Sequence, residues 1–293
     1  MSRFSRLSAP LLLPVFSLSA YAGCSSSTPD AVVDAGVDSN VIVDTGTEDG
    51  STEDVAVDTA VDPVPDASLD APVDAAPKGN ALRFDGVNDM ISFTTAAGNV
   101  SETAFSSELW FRSTTMTGML LEVFGAGADR SIYLKDGKLC FYVYTPGFSY
   151  ACSTANFNDG AWHHVAATLG AVGGQNLYVD GVLQSTQAAT KASAFTSDST
   201  VRAGYGYIGA VGVLTYFAGD LDEIRVWNVE RTATEIASNR ATTINPATAG
   251  LQYYWKLDET GTSTTTADSK GGAYTGTLTG FSTAPSPWIP GAL

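Results

Sequence analysis

The chain has 293 residues and a formal net charge of −16. The charge is uneven: residues 25–79 hold thirteen acidic residues and one lysine, whereas residues 80–293 hold eighteen acidic against twelve basic residues, a net of −6. Acidity of this kind repels phosphate backbones and excludes nucleic acid as a partner, and its concentration in one segment makes it uninformative about the fold.

The first elements in chain order are topogenic. Arg3 and Arg6 precede an apolar run, Leu7 to Ala22, that contains Pro10 and Pro14. The run is too short and too broken to span a bilayer as a stable helix and reads as an export signal over residues 1–23. Ala22-Gly23-Cys24-Ser25 resembles a lipobox, with Tyr21 standing where leucine is usual. That resemblance implies acyl chains on Cys24 as the only membrane attachment. Ser25 resembles the class sorted to the outer membrane, so the expected location is the outer membrane or cell surface. The alternative is an ordinary secretory signal with Cys24 incidental. With Cys24 lipidated, Cys140 and Cys152 remain, and two cysteines in an exported protein suggest one disulfide.

Residues 24–79 form a low-complexity linker of Val, Asp, Ala, Pro, Ser and Thr. Aspartate recurs every fourth residue from Asp54 to Asp74 and from Asp30 to Asp38. Aspartates four apart repel on a helix face, and Pro63, Pro65, Pro72 and Pro77 break any helix. No aromatic residue is present to seed a core. An EF-type calcium loop is not formed at Asp49-Gly50, which lacks acidic partners at the earlier positions. The expectation is a solvated, self-repelling spacer; as a random coil its ~55 residues span about 40 Å, and repulsion extends them further.

Residues 80–293 read as one all-β domain. Short alternating runs at 81–84, 90–93, 107–111, 119–124, 131–135, 138–144, 162–169, 176–179, 182–187 and 222–227 predict strands, split by Gly, Asp and Asn. Asp136-Gly137 and Asp180-Gly181 each separate two runs by two residues, the signal for a tight primed hairpin. Only residues 232–239 look helical, with Thr232 and Glu235 spaced as a capping box. The absence of alternating strands and helices excludes doubly wound and TIM-barrel folds.

Several of these runs resemble the concanavalin A-like, laminin-G-like jelly-roll family. The opening ALRFDGVNDMISF (81–93), ELWFR (108–112), DGAWHHVAATL (159–169) with NLYVDGVL (176–183), FAGDLDEIRVWNVERTATEI (217–236) and YYWKLDETG (253–261) carry the likeness in order and spacing over nearly all of 80–293. YYWKLDETG matches the family's last core strand. The resemblance implies a sandwich of two antiparallel sheets, a concave face, often a structural calcium, and ligands that are chiefly glycans and proteins. Fold likeness does not choose among them.

Both histidines of the chain, His163 and His164, are adjacent on a strand. Alternation sends them to opposite faces, so they cannot share a metal, and a hydrogen-bonded structural histidine is the expectation. Asp220, Asp222 and Glu223 superficially resemble an alternating acid set of a glycosidase of this fold, but Ile224 stands where a third acid is needed, so no catalytic residues are assigned. The resemblance instead implies calcium at Asp222, with Asp85 and Asp89 of the opening loop and backbone carbonyls; the alternative is that Asp85 and Asp89 serve tight turns. Cys140 and Cys152 sit symmetrically about Pro146, so a hairpin turning at Thr145-Pro146-Gly147 would place them opposite each other at bridging distance. In that hairpin Leu139, Phe141 and Val143 face the core, and Tyr142, Tyr144, Phe148 and Tyr150 share the cysteine face. Such a face suits sugar stacking; the alternative is that a loop covers it. The glycine-rich stretch 203–212 is expected as a loop bordering this surface. The leading expectation is a non-catalytic, lectin-like cell-surface module that binds carbohydrate; an adhesin or envelope-structural protein with a surface-protein ligand is second, and a divergent glycoside hydrolase third.

Overall fold

The computed structural model describes residues 79–93, 101, 103–124, 128–144, 148–189, 200–209, 212–271 and 274–291. The expected export signal and lipidated Cys24, the aspartate-rich stretch expected as a linker, and the expected turn Thr145-Pro146-Gly147 lie outside the described residues.

In chain order the strands begin with β1 (Asn80–Asp85), β2 (Met90–Phe93), β3 (Phe105–Arg112), β4 (Gly118–Phe124), β5 (Ala128–Lys135), β6 (Lys138–Val143) and β7 (Ser149–Asn156). They continue with β8 (Trp162–Gly170), β9 (Gly174–Val179), β10 (Val182–Gln187), β11 (Thr200–Ala203), β12 (Tyr205–Ile208), β13 (Val213–Tyr216) and β14 (Ala218–Trp227). After the helix α1 (Ala233–Asn239) come β15 (Leu251–Trp255), β16 (Thr265–Thr266), β17 (Gly276–Thr279) and β18 (Trp288–Pro290).

These strands make two facing antiparallel sheets. The first runs β10-β9-β8-β3-β14-β1-β18, and the second β16-β17-β2-β11-β4-β5-β6-β7. Strand β14 is long enough to take two neighbours on one edge, β1 along residues 218–221 and β15 along residues 224–227. Alternation explains which side chains go inside. In β1 Leu82 and Phe84 enter the core while Arg83 and Asp85 point out; in β6 Leu139, Phe141 and Val143 enter it. Phe93 stacks on Trp255 with centroids 3.9 Å apart, which joins the second sheet to β15 of the first.

The predicted hairpins form. Asp136 and Gly137 have φ of 54° and 79°, and Asp180 and Gly181 have 51° and 81°, the paired positive angles of a type I′ turn. The predicted helix is present, one turn shorter than a typical helix, and its capping box is complete. Glu235 N–H donates to Thr232 Oγ1 at 3.2 Å, and Thr232 N–H donates to Glu235 Oε2 at 2.8 Å. The one buried residue of α1, Ile236, sits with Ala166 and Tyr178, so the helix covers the outer face of the first sheet.

Two expectations are corrected. Stretch 203–212 is not simply a loop: residues 200–203 form a central strand of the second sheet, and β12 pairs β13 as a separate hairpin. YYWKLDETG is not the last strand of the core. Strand β17 follows it into the second sheet beside β2, and β18 into the first beside β1.

Candidate functional site

The cysteine face of β6 and β7 is built as the alternation requires. Cys140 pairs with Cys152 and Tyr142 with Tyr150 in direct cross-strand register. Cys140 and Cys152 are disulfide-bonded. The four aromatic side chains expected on this face are brought together: Tyr142 lies 5.1 Å from Tyr150 and 6.4 Å from Phe148, and Tyr144 lies 5.6 Å from Phe148, centroid to centroid.

They are not equally available. Tyr142 is only 4% exposed, packed with Met119, Tyr133, Cys140 and Ile208. Ile208 comes from the β12–β13 hairpin, which covers one end of the face. Tyr142 is thus the floor of the surface rather than a stacking ring, and the loop-covered alternative holds for this residue. Tyr144 is 43% exposed and Phe148 59%, with Tyr150 half-buried between floor and rim. Burial and the neighbouring Tyr207 raise the Tyr150 hydroxyl above the ordinary tyrosine range, so it stays a neutral donor and acceptor at physiological pH.

The covering hairpin is fixed by a polar anchor absent from the sequence reading. Glu122 of β4 is fully buried; it accepts from Arg202 of β11 and from Tyr207 N–H at 3.2 Å. Burial raises the Glu122 carboxyl, and the Arg202 guanidinium opposes that rise. Gly206 lets the hairpin come this close: a Cβ there would lie 2.7 Å from Glu122 Oε2 and 2.9 Å from Met119 Cγ. The arrangement presents Tyr207, 41% exposed, beside Tyr150. Tyr207 was missed because glycines interrupt the YGYI run; its tyrosines at alternate positions were the available signal.

The histidines do occupy opposite faces. His163 Nδ1 is 2.7 Å from Asp180 Oδ2 and its Nε2 is 3.2 Å from Asp159 Oδ1, with Phe111 and Phe157 against the ring. Burial opposes protonation of His163, but the Asp180 and Asp159 carboxylates outweigh it and hold the imidazole above its ordinary pKa. His164 is buried on the outer face beside Trp110, with Nε2 3.5 Å from Glu108 Oε2. Burial lowers its pKa despite the Glu108 carboxylate. Both are structural histidines.

The acidic run of β14 is also absorbed by structure. Asp220 binds Arg83 and Arg112. Glu223, at φ 51° on a bulge, pairs with Arg225 at 2.6 Å and accepts from the Tyr254 hydroxyl. Asp222 is 1% exposed; its Oδ1 accepts Glu223 N–H at 2.8 Å. Burial, then the Glu223 and Asp258 carboxylates, push the Asp222 carboxyl up to about 9, so it is protonated at neutral pH. All three acids are buried, and among the described residues the cleft that Asp220 borders has no second acid in its lining.

The residues expected to share a calcium ion do not converge. Asp85 pairs with Ala218, four residues before Asp222, a strand distance of ~13 Å. Asp85 Oδ1 accepts from Val87 N–H at 2.7 Å, and Asp89 Oδ2 accepts from Asp85 N–H at 2.9 Å, so both aspartates serve the turn at Gly86. Among the described residues, no group of three or more His, Cys, Asp or Glu side chains could hold a metal ion. These residues do not fit one calcium shell.

A family model for the Concanavalin A-like lectin/glucanases superfamily, of the laminin-G type, matches residues 85–237, just over half of the chain. No curated protein sequence matches. Among solved structures, a candidate carbohydrate-binding protein from Bacteroides ovatus is similar, with 23% identity and a TM-score of 0.55. The match covers 70% of this chain and 59% of that one, so the chain spans less than two-thirds of its relative. A heptameric pentraxin of Limulus polyphemus is 18% identical at TM-score 0.45, covering 55% of this chain and 81% of that one. Mouse laminin α1 domains LG4-5 are 22% identical at TM-score 0.43, covering 60% and 46%. With its two antiparallel sheets and this family match, the chain belongs to the concanavalin A-like lectin/glucanases superfamily.

Proposed function

We propose that the domain is a non-catalytic carbohydrate-binding module, held at a membrane surface by lipidated Cys24 and the acidic linker. One observation carries this reading: Tyr144 and Phe148, beside the β6–β7 pair cross-linked by Cys140–Cys152, and Tyr207 of the β12–β13 hairpin are exposed around half-buried Tyr150. Rings held by a rigid floor lose little entropy when a sugar stacks on them, and the Tyr150 and Tyr207 hydroxyls offer hydrogen bonds to its hydroxyls. The family fold and the description of the Bacteroides ovatus protein support the reading. The paired, buried acids of β14 speak against hydrolysis.

The test is a glycan array probed with the full chain, with calcium and with chelator, the second arm addressing the calcium reading of Asp222, Asp85 and Asp89. Bound glycan should be lost in the Tyr144→Ala/Phe148→Ala double variant, each ring contributing ~1–2 kcal/mol. Retained binding in the double variant would overturn the site. Exposed Val213 and Leu214 on the β12–β13 hairpin favour a second reading, a protein ligand. Silent arrays with a captured protein partner lost in Leu214→Asp would establish it.

A further inference from the structure

A second concavity lies on the outer face of the other sheet, where β1, β14 and β3 run side by side. It has a volume of about 300 Å³. Its floor is a ladder of three charges in direct register, Arg83 opposite Asp220 and Asp220 opposite Arg112. Ser113, Thr114 and Thr115 form one wall and Gly160 contributes to the rim.

One carboxylate serves two guanidiniums. Asp220 is buried; it accepts from Arg83 Nε at 2.8 Å and Nη2 at 3.3 Å, and from Arg112 Nε at 2.8 Å, with Arg112 Nη2 at 2.7 Å. Nη1 of each arginine therefore keeps its N–H groups without an acceptor among the described residues, and the ladder carries a residual charge of +1. Arg112 Cζ lies over the Trp162 ring, 4.8 Å from its centroid, a cation–π contact that adds to the hold of Asp220 on this side chain. The acid nearest on the same strand face, Asp85, is engaged in its own turn with Val87 N–H and Asn88 N–H. Ser113 and Thr115 hydroxyls are tied to the Ala218 carbonyl, which leaves Thr114 at the exposed lip.

We infer that this cleft is a second binding site, independent of the tyrosine surface, for a single carboxylate-bearing sugar residue of the uronic acid class. Guanidinium edges match a planar carboxylate, and the Thr114 hydroxyl and backbone at the wall suit ring hydroxyls. The volume, at the low end for ligand pockets, admits one residue rather than a long segment. The domain's net of −6 disfavours densely charged polyanions, so a lone or terminal acid is selected. A ladder acting only as a cross-strand brace would need no open cleft above it.

The experiment titrates the full chain with D-glucuronate, with D-glucose as the neutral control and N-acetylaspartate as the acidic-peptide control, by ligand-observed NMR. Glucuronate should bind, more weakly as salt is added, and glucose should not. Arg83→Gln removes an exposed guanidinium and should weaken glucuronate binding about tenfold, ~1.4 kcal/mol. Thr114→Trp leaves every charge in place, fills the cleft, and should abolish binding; melting curves of both variants report folding. Equal binding of glucose, unchanged affinity in both variants, absence of glucuronate binding, or tighter binding of N-acetylaspartate would each overturn the assignment.

Discussion

Asp222→Asn should stabilise the domain at neutral pH and do almost nothing near pH 4. The wild-type carboxyl, raised to about 9, keeps its proton in the folded protein, whereas the unfolded chain releases it near the ordinary value of 3.8. Because the folded state binds the extra proton, stability is greatest below pH 3.8 and falls as pH rises towards 9. Each pH unit in that window costs about 1.4 kcal/mol, so the accumulated cost approaches ~4 kcal/mol at pH 7. That total is set by the ambient pH and holds for any folded pKa well above 7. Asparagine matches the protonated acid in shape and keeps Oδ1 as acceptor for Glu223 N–H, so it removes the titration without removing the contact. For a domain of this size ~4 kcal/mol corresponds to a melting shift of about 8–16 °C. The assay compares thermal and urea unfolding of both proteins at pH 4 and pH 7. A difference that does not grow between the two, or a less stable variant at pH 7 in the presence of calcium, would refute the buried neutral acid and restore Asp222 as a charged ligand.

Two further outcomes follow from the second sheet. Cys140→Ala/Cys152→Ala opens a loop of twelve-residue separation and should cost ~3 kcal/mol on the chain-entropy model, read as a lower urea midpoint; the same loss should appear in wild type under reductant. Gly206→Val drives a side chain into Glu122 and Met119 and should cost ~1–3 kcal/mol, with a change in near-ultraviolet tyrosine circular dichroism; unchanged spectra and stability would mean the hairpin does not rest on the sheet as described.

What was legible in the sequence was local. Alternation in KLCFYV told core from surface in β6, Asp-Gly pairs placed two hairpins, and Thr232 with Glu235 placed the helix. What escaped depended on distant partners. Nothing in the period of Tyr142 announces that Ile208 will cover it, because the covering strand arrives from 66 residues further along the chain. The bulge at Glu223 turns two successive acids to one side of β14, and no residue type marks it: the backbone there takes a positive φ without glycine. The separation of Asp85 from Asp222, like the meeting of Arg83, Asp220 and Arg112, is set by strand register between segments more than a hundred residues apart. Strands β16 to β18 are two to four residues long, too short for alternation to show.

The pairing of β1 on both sides has a mechanical consequence. Gly79 O accepts Gly291 N–H at 2.7 Å at the head of β1, and the strand is flanked by β14 on one edge and β18 on the other. If the proposed tether holds the domain through the preceding segment, tension entering at Gly79 would run along β1, at right angles to the hydrogen bonds on both edges. Those bonds resist sliding together instead of opening one after another, so under the proposed tether and ligand the domain should withstand drag far better than its equilibrium stability alone would suggest.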